Sequence, residues 1–485
     1  MSFARVYATC VLSEHFDHAK RLLLGPLMAI HRAHLVMLAE CGIISSSQAR
    51  TLRDALAGVD ETAVEVAPFD DRREDLFAYV EALIDGACDE EAAGVLHIAR
   101  SRNDIDMTVY RMHQRELLLE LSAALLELRA ALVELAGQHR ETVYAAHTHT
   151  QPAQPTTLAH FLLAIGEQLA RDDGRLRAAY RTTNRSPLGA CAITGTGFPI
   201  DRGRTSQLLG FDEPTGNTYD SIATVDYVLE SVSAIIVLLV GLGRVLHDLL
   251  LWCTAEFGYL RLGDGFVQGS TIMPQKRNPV ALEHARAIAS TGVGRGSAIV
   301  ATVHNTPYGD IVDTEDDLQP LIDSTFRDAI HAVRLVAGAL AGATFDVERM
   351  RARAADAGTT MTELADTLVR EHRVSASTGR RIAQAFATLR EARPERPAGE
   401  TLAAASREQV GAALALPEER LAEVLSARHF VAVRRTWGGP APDETRRAVS
   451  EAATVLERDG ASLAERRARL VAASSLLGEA IARLS

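Results

Sequence analysis

The chain has 485 residues, enough for roughly two to four domains and a large buried core. Its 51 basic and 63 acidic side chains give a net charge of −12, which argues against nucleic acid as the main partner because phosphates bind a basic surface. The five cysteines follow no spacing pattern, and the first residues lack the long apolar run of a secretory signal. We therefore expect a cytoplasmic protein.

The sequence predicts helices nearly throughout. The first long helix runs from Asn103 to Ala136, a stretch without glycine or proline in which apolar residues recur at helical spacing. Four others are predicted at residues 155–180, after the N-cap residue Asn217, at 280–303 and at 316–340. After a change of composition near residues 341–344, shorter helices continue, with a loop at 393–400.

Membrane insertion is not expected. The most apolar stretch, residues 231–243, ends at Arg244 and is too short to span a bilayer. The five long helices are nevertheless apolar over more than one stripe, and one isolated bundle cannot cover all of that surface. We therefore expect part of it to pack against other subunits.

Residues 269–279 form the most informative segment, Gly-Ser-Thr-Ile-Met-Pro-Gln-Lys-Arg-Asn-Pro. Glycines at its start and just before it keep the backbone mobile, as a closing active-site loop requires. The segment supplies a hydroxyl (Ser270), an ammonium (Lys276) and a carboxamide (Asn278), a set suited to binding a carboxylate while a proton leaves the adjacent carbon. The alternative is a surface turn in which the Ser270 hydroxyl caps the following backbone.

This segment resembles the signature loop of the fumarase/aspartase superfamily. Three others are similar to its argininosuccinate lyase branch: residues 96–104 (Leu-His-Ile-Ala-Arg-Ser-Arg-Asn-Asp), residues 148–155 (Thr-His-Thr-Gln-Pro-Ala-Gln-Pro), and Pro187-Leu188-Gly189 with Phe198-Pro199-Ile200-Asp201-Arg202. The resemblance runs from about residue 40 to residue 323.

The resemblance implies an all-α, three-domain fold with a long central helical bundle. The domains would be an N-terminal helical domain at residues 1–104, a central long-helix bundle at 105–343 and a C-terminal helical domain at 344–485. It also implies a homotetramer in which the central helices form one twenty-helix core.

The same resemblance implies a carbon–nitrogen lyase that eliminates fumarate from an N-substituted L-aspartate by anti-elimination. The reaction requires a base for the carbon-bound proton, fixed positive charge for the carboxylate that takes up the electrons, and a proton for the leaving nitrogen. Ser270 matches the superfamily's catalytic serine and is the candidate base, because backbone N–H groups and Lys276 can stabilise its oxyanion once the loop closes. Lys276 and Asn278 would bind the carboxylate in its aci form.

The segment that begins the first long helix supplies Ser101, Arg102 and Asn103. A helix N-terminus offers backbone donors and positive potential to a carboxylate. The resemblance implies that these three residues hold the succinyl carboxylates. The alternative for Ser101 and Asn103 is simple helix capping.

Thr148 and His149 match the family's threonine–histidine pair. His149 would donate the proton to the leaving nitrogen or orient the group that does so, with a purely structural histidine as the alternative. Gln151 is a candidate substrate contact. His147 and His149 form a His-x-His pair whose rings would share one face of a strand, but no third ligand is recognisable, so we expect neither a metal nor another cofactor.

The resemblance implies active sites that each draw these segments from three chains of the homotetramer. It also implies a small dicarboxylate or amino-acid substrate. Asn217 and Asp220 resemble the family's approach to its longest helix, and for them helix capping is at least as good an interpretation as ligand contact.

The sequence departs from the argininosuccinate lyase branch where the leaving group would bind. Tyr308 matches a tyrosine that grips the amino-acid end of the arginine moiety, but the glutamine and lysine expected after it are Glu315 and Leu318. The branch's aspartate–isoleucine–histidine run here reads Asp75-Leu76-Phe77. Five acidic residues between positions 310 and 317 favour a cationic or amine-bearing leaving group, with a solvated loop face as the alternative.

Three functional hypotheses follow. The first is a fumarate-releasing lyase that acts on argininosuccinate or on a diamine-, hydrazine- or diaminopropionate-type succinyl adduct. The second is a catalytically silent structural or regulatory homologue, against which the presence of Ser270, Lys276, Asn278, Thr148 and His149 argues. The third is a carbon–oxygen hydratase of the fumarase kind.

Overall fold

Six helices precede the first long helix in the computed structural model, which describes residues 3–356 and 358–484. They are α1 (Arg5–Tyr7), α2 (Ser13–Leu22), α3 (Leu24–Glu40), α4 (Ser46–Ala57), α5 (Glu61–Val66) and α6 (Leu76–Gly86). A π-helical segment (Ala8–Leu12) joins α1 to α2, and a 3-10 turn (Val95–His97) follows α6. Helix α3 buries residues on most of its surface and forms the centre of an N-terminal apolar cluster.

Seven helices follow in the middle of the chain. They are α7 (Arg102–Gln138), α8 (Leu158–Thr183), α9 (Arg202–Leu208), α10 (Thr218–Ala223), α11 (Asp226–Trp252), α12 (Val280–Val303) and α13 (Gln319–Ala341). The five long ones pack side by side around one apolar cluster, to which α7 contributes Leu121 and Leu125, α11 contributes Ile235 and Leu238, and α13 contributes Phe326. With 37 residues, α7 spans about 55 Å at 1.5 Å per residue.

The predicted all-α fold and its long helices are confirmed, with corrections at three boundaries. The second long helix begins at Leu158 rather than at residue 155, because residues 151–157 form a strand. The third is two helices, since Thr224 is extended and separates α10 from α11. The fifth begins at Gln319, after a 3-10 turn at Val312–Thr314.

Within the described residues, α11 alone is long and apolar enough as a single helix to cross a bilayer, and the segments Arg5–Leu22 and Leu24–Glu40 pass the same criterion only as a pair bent by 73°. The apolar stretch at residues 231–243 was expected to be too short to span a bilayer. That expectation is wrong, because the stretch belongs to α11, which has 27 residues. Buried core helices meet this criterion as well, and α11 packs against α8, α12 and α13.

Short strands connect the helices in four two-stranded sheets among the described residues. The pairs are β1 (Val143–Thr148) with β2 (Gln151–Thr157), β3 (Arg185–Ser186) with β4 (Glu213–Pro214), β5 (Leu260–Arg261) with β8 (Thr344–Phe345), and β6 (Gln268–Gly269) with β7 (Arg277–Asn278). The β3–β4 pair is parallel and the other three are antiparallel. Two of these sheets carry candidate site residues, the β1–β2 hairpin and the β6–β7 pair.

The C-terminal part consists of α14 (Val347–Asp356), α15 (Met361–His372), α16 (Ala376–Ala392), α17 (Ala398–Val410), α18 (Glu418–Val424), α19 (Ala427–Ala432) and α20 (Pro442–Ala482). Helices α15 to α18 enclose their own apolar cluster. The 41-residue α20 then returns along α7 and α8, and its end packs Leu477 and Ala480 into the N-terminal cluster. The boundaries at residues 104 and 343 stay predictions, because α20 crosses between these clusters.

Candidate active site

The side chain of Asp104, in the first turn of α7, holds the segment that precedes this helix. The carboxylate of Asp104 accepts hydrogen bonds from the backbone N–H of Ser101 (2.7 Å) and from the backbone N–H of Gly189 (2.7 Å). The hydroxyl of Ser101 donates to the side-chain oxygen of Asn103 (2.6 Å). Ser101 thus occupies the N-cap position, as its alternative interpretation proposed, and its hydroxyl orients Asn103.

Arg102 is surrounded by carboxylates. Its Nη1 lies 3.0 Å from both Glu74 and Asp75, and its Nε lies 3.8 Å from Asp106. Although burial opposes it, the charges of Asp75, Glu74 and Asp106 raise the pKa of Arg102. Arg102 therefore keeps its charge, but a substrate carboxylate must compete with three protein carboxylates for it.

Five carboxylates from three parts of the chain gather beside this segment; we call them the acidic cluster: Asp75, Asp106, Asp310, Glu315 and Asp316. The amide of Asn103 donates a hydrogen bond to Asp310, and the buried hydroxyl of Tyr110 donates one to Asp316. Glu315 and Asp316 are half-buried, so the solvated-face alternative holds for only part of the loop.

Two members of the acidic cluster, Glu315 and Asp106, have pKa values above those of isolated carboxylates. Burial, a hydrogen bond with Asp310 and the charges of Asp310 and Asp316 raise the pKa of Glu315 to about 8. Burial, with the charges of Asp316 and Asp75, also raises the pKa of Asp106 well above its usual range. A cation placed here would replace a proton, because it relieves the same repulsion.

Tyr308 lies on the surface at the start of the same loop. Its ring stacks on that of Tyr219, with centroids 6.0 Å apart, and the Tyr219 hydroxyl donates to the backbone oxygen of Tyr308 (3.2 Å). The side chain of Asn217 caps α10 by accepting from the N–H groups of Tyr219 and Asp220, which confirms the capping interpretation of Asn217.

Thr148, His149 and Gln151 lie at the tip of the β1–β2 hairpin. Thr148 pairs with Gln151, and the two residues between them, His149 and Thr150, have φ values of +50° and +64°. Residues other than glycine adopt these angles at an energetic cost, and two-residue hairpin loops commonly require positive φ at both positions. His149 lies in the turn, whereas the ring of His147 lies against Phe257, so the assumption that both rings share one strand face is wrong.

The segment 269–279 forms an exposed loop closed at its base by β6 and β7. The Ser270 hydroxyl accepts hydrogen bonds from the backbone N–H groups of Ile272 (3.4 Å) and Met273 (3.1 Å). This is the capping contact of the alternative interpretation, and the same two donors would stabilise a serine oxyanion. The Lys276 side chain is exposed and makes no hydrogen bond or ion pair with any described residue.

The candidate residues form three groups that lie on different elements of the chain: the anchor group (Ser101, Arg102, Asn103), the hairpin group (Thr148, His149, Gln151) and the loop group (Ser270, Lys276, Asn278). In the described part of the chain, only the anchor group makes a side-chain hydrogen bond to the Tyr308 loop, through the contact between Asn103 and Asp310. Across residues 3–356 and 358–484, no side-chain hydrogen bond or ion pair joins one group to another. A cavity of ≈ 420 Å³ between α7, α8 and the start of α20 contains none of these residues.

Sequence reasoning missed Tyr219, Asp106 and Tyr110. The last two follow Asn103 at three and seven positions along α7, which is the spacing of one helix face, so a polar stripe at the start of the helix was the available signal. No group of histidine, cysteine and acidic side chains among the described residues has the arrangement of a metal site.

Residues 32–294 match the lyase family. The argininosuccinate lyase 2 of Agrobacterium fabrum is 38% identical over 453 residues, 91% of this chain and 89% of that protein. The argininosuccinate lyase of Methanoculleus marisnigri is 39% identical over 457 residues, 92% of this chain and 91% of that protein. The crystal structure of EDDS lyase in complex with formate superposes with a TM-score of 0.88 at 31% identity, covering 100% of this chain and 96% of that one.

The relatives and the helical bundle identify a carbon–nitrogen lyase of the fumarase/aspartase superfamily. Within it, the chain belongs to the lyase family and to its argininosuccinate lyase branch, as the motifs in its sequence predicted.

Proposed function

We propose that this lyase releases fumarate from an N-substituted L-aspartate whose leaving amine carries a second, positively charged group. The observation that carries the proposal is the direct hydrogen bond from Asn103, in the anchor group, to Asp310, in the acidic cluster. A succinyl group held by Asn103 would have its nitrogen substituent directed toward these carboxylates.

The charge balance of this pocket disfavours a leaving group that ends in a carboxylate. Leu318 is buried and stands where the branch has a lysine, so no cation is supplied at that position. Arg102, the nearest arginine, is already matched by Glu74, Asp75 and Asp106. An arginine leaving group would bring a carboxylate among like charges along with its cations, whereas a diamine would bring a compensating cation and no carboxylate.

The proposed elimination begins at the loop group. Ser270 acts as the base in its oxyanion form, which the N–H groups of Ile272 and Met273 and the ammonium of Lys276 stabilise. It removes a proton from the carbon adjacent to the one that bears the departing nitrogen. The electron pair of that C–H bond moves into the adjacent carboxylate, and Lys276 and Asn278 stabilise the resulting aci-carboxylate. Oxyanion-hole donors of this kind typically contribute about 10²–10³ in rate.

The second half of the reaction breaks the C–N bond. As the carbon–carbon double bond of fumarate forms, the C–N electron pair goes to nitrogen, and His149 or a group it orients supplies a proton there. Thr148 and Gln151 would hold the substrate near the imidazole, while Ser101, Arg102 and Asn103 would bind its carboxylates. Tyr308, stacked on Tyr219, would cover the leaving amine.

We propose a cytoplasmic homotetramer with active sites shared between chains, because no hydrogen bond or ion pair joins the three groups among the described residues of one chain. The bundle supports this assembly: only 39% of the most apolar window of α11 is buried, and Val237, Val240 and Leu251 of that helix are exposed. An apolar face of that size gains stability when it packs against another subunit. The three-domain division at residues 104 and 343 belongs to the same proposal.

The test offers purified protein fumarate with single amines and follows the loss of fumarate absorbance. The panel contains arginine, ethylenediamine, 2,3-diaminopropionate and hydrazine, with n-propylamine as a control that resembles ethylenediamine but lacks the second amine. Turnover with ethylenediamine and not with propylamine or arginine is the expected result. Turnover with arginine alone would make the chain an argininosuccinate lyase, and no turnover with any amine would favour the silent homologue.

A further inference from the structure

A buried guanidinium lies directly behind the anchor group. The side chain of Arg100 has no exposed surface, so it cannot touch a substrate. Its Nη1 donates to Nδ1 of His31 (2.8 Å), its Nη2 donates to Glu81 (3.4 Å), and its guanidinium carbon lies 5.7 Å from the centre of the Phe77 ring. Arg100 is thus enclosed by α3 on one side and α6 on the other.

His31 faces Arg100 as a neutral acceptor. Burial, together with the charge of Arg100, lowers the pKa of His31 well below its usual range, so Nδ1 is free to accept and Nε2 carries the hydrogen. The imidazole is fully buried and stacks on Phe77, with ring centroids 5.9 Å apart and planes 19° apart. No other side chain in the described part of the chain accepts a hydrogen bond from Nη1 of Arg100.

The same face of α3 also holds the backbone just before Arg100. One turn after His31, Nε2 of His34 contacts the backbone oxygen of Ile98 (2.8 Å). Between Ile98 and Arg100 the chain turns through Ala99, whose φ of +58° is unfavourable for a residue with a side chain. Such a turn persists only where its surroundings hold it in place.

We infer that His31 is a positioning residue: by accepting from Arg100, it fixes the turn at Ala99 and hence the direction in which Ser101, Arg102 and Asn103 leave it. Arg100 transmits this constraint, because its backbone directly precedes the anchor group. The inference concerns the proposed function's carboxylate-binding segment, and in that respect it rests on the proposed function.

Two substitutions of similar shape distinguish the loss of the hydrogen-bond acceptor at residue 31 from the loss of packing by its ring. His31→Asn retains an oxygen near the position of Nδ1, whereas His31→Leu has the same branching and no acceptor. The rate of hydrogen exchange of the backbone amides in residues 98–106, measured without substrate, shows whether the turn at Ala99 is held in place. The Ser101 N–H, which donates a hydrogen bond to Asp104, gives the most direct measurement. His160→Leu removes an imidazole that contacts Thr156 and Gly438 instead and serves as the control.

His31→Leu should speed exchange in residues 98–106, while His31→Asn and His160→Leu stay close to wild type. In turnover, His31→Leu should raise KM about 10- to 100-fold with kcat nearly unchanged, as expected of a displaced binding segment. Equal behaviour of the Asn and Leu variants would overturn the inference in favour of packing alone. If the wild type turned over no amine, the proposed function would fail, and the exchange experiment would still decide the role of His31.

Discussion

Asn103 and Asp310 are joined by a side-chain hydrogen bond although 207 residues separate them along the chain. The first belongs to the segment expected to hold the succinyl carboxylates, and the second opens the acidic loop. In the proposed function, the contact would link the recognition of the succinyl group with the recognition of its nitrogen substituent. Because Asn103 donates, Asp310 is an acceptor here, and since it also shares a hydrogen bond with Glu315, part of its carboxylate remains available to a cationic ligand.

The first prediction concerns the charge of Asp310. Asp310→Asn should raise KM for ethylenediamine about tenfold, the equivalent of 1.4 kcal/mol, because the amide still fills the site but no longer attracts a cation. Initial rates of fumarate loss measure this effect. Asp313→Asn, an exposed residue of the same loop, is the control and should leave KM unchanged. An equal effect of both substitutions would mean that only the overall charge of the loop matters.

The second prediction concerns Ser270. Ser270→Ala should lower kcat by about 10³-fold or more while fumarate still binds, because the substitution removes the base and leaves the carboxylate ligands in place. Turnover assays and calorimetric titration with fumarate measure the two effects. Ser290→Ala removes an exposed hydroxyl that bonds only to the backbone of α12 and should have no effect. Wild-type turnover in Ser270→Ala would exclude this serine as the base.

The sequence predicted the helices that are marked by residues at or next to their ends. The bounds of α12, Val280–Val303, follow from Pro279 at its start and from the apolar spacing after it. Asn217 was correctly identified as a cap, yet the break after Ala223 was missed, since neither glycine nor proline marks Thr224 and Val225. A hydrogen bond between the side chains of Thr224 and Asp226 (2.6 Å) lies at that break.

The hairpin and the acidic cluster show why other features could not be predicted from the sequence. Strand β2 contains Pro152 and Pro155, residues that patterns of β-structure exclude from central strands, so its last residues, 155–157, were assigned to the following helix. The acidic cluster joins residues near positions 75, 106 and 310, and no local pattern reports such distant neighbours. The candidate site residues came from motifs, whereas their contacts within the chain required the fold.

The third prediction is a pH dependence. Glu315, with its pKa raised to about 8, is largely protonated at neutral pH. A leaving amine that carries one further ammonium group should therefore bind more tightly as the pH rises through about 8, because ionised Glu315 then faces the cation. KM should fall over this range in the wild type relative to Glu315→Gln, which has no proton to lose. Parallel profiles for the two proteins would show that the titrating group lies elsewhere.

The same carboxyl should affect stability in a defined direction. A carboxyl whose pKa is higher in the folded protein than in the unfolded chain destabilises the fold as the pH rises from about 4.3, its ordinary value, toward 8. Glu315→Gln should therefore raise the melting temperature relative to wild type at pH 8.5 and change it little at pH 4.5. A larger gain at the acidic pH would contradict the sign of the shift. Differential scanning calorimetry at the two pH values makes the comparison.

The last prediction tests whether active sites are shared between chains. If Ser270 and His149 of one site come from different protomers, Ser270→Ala and His149→Ala chains that are each inactive should complement one another when refolded together. Random mixing in equal amounts leaves about one quarter of the sites with both residues intact, because each is contributed independently with even odds. Activity near that fraction of wild type would require a shared site, and the Ser270→Ala, His149→Ala double variant mixed with wild type provides the matched control. A site built within one chain would instead leave the mixture of single variants inactive, since no protomer would then carry both residues.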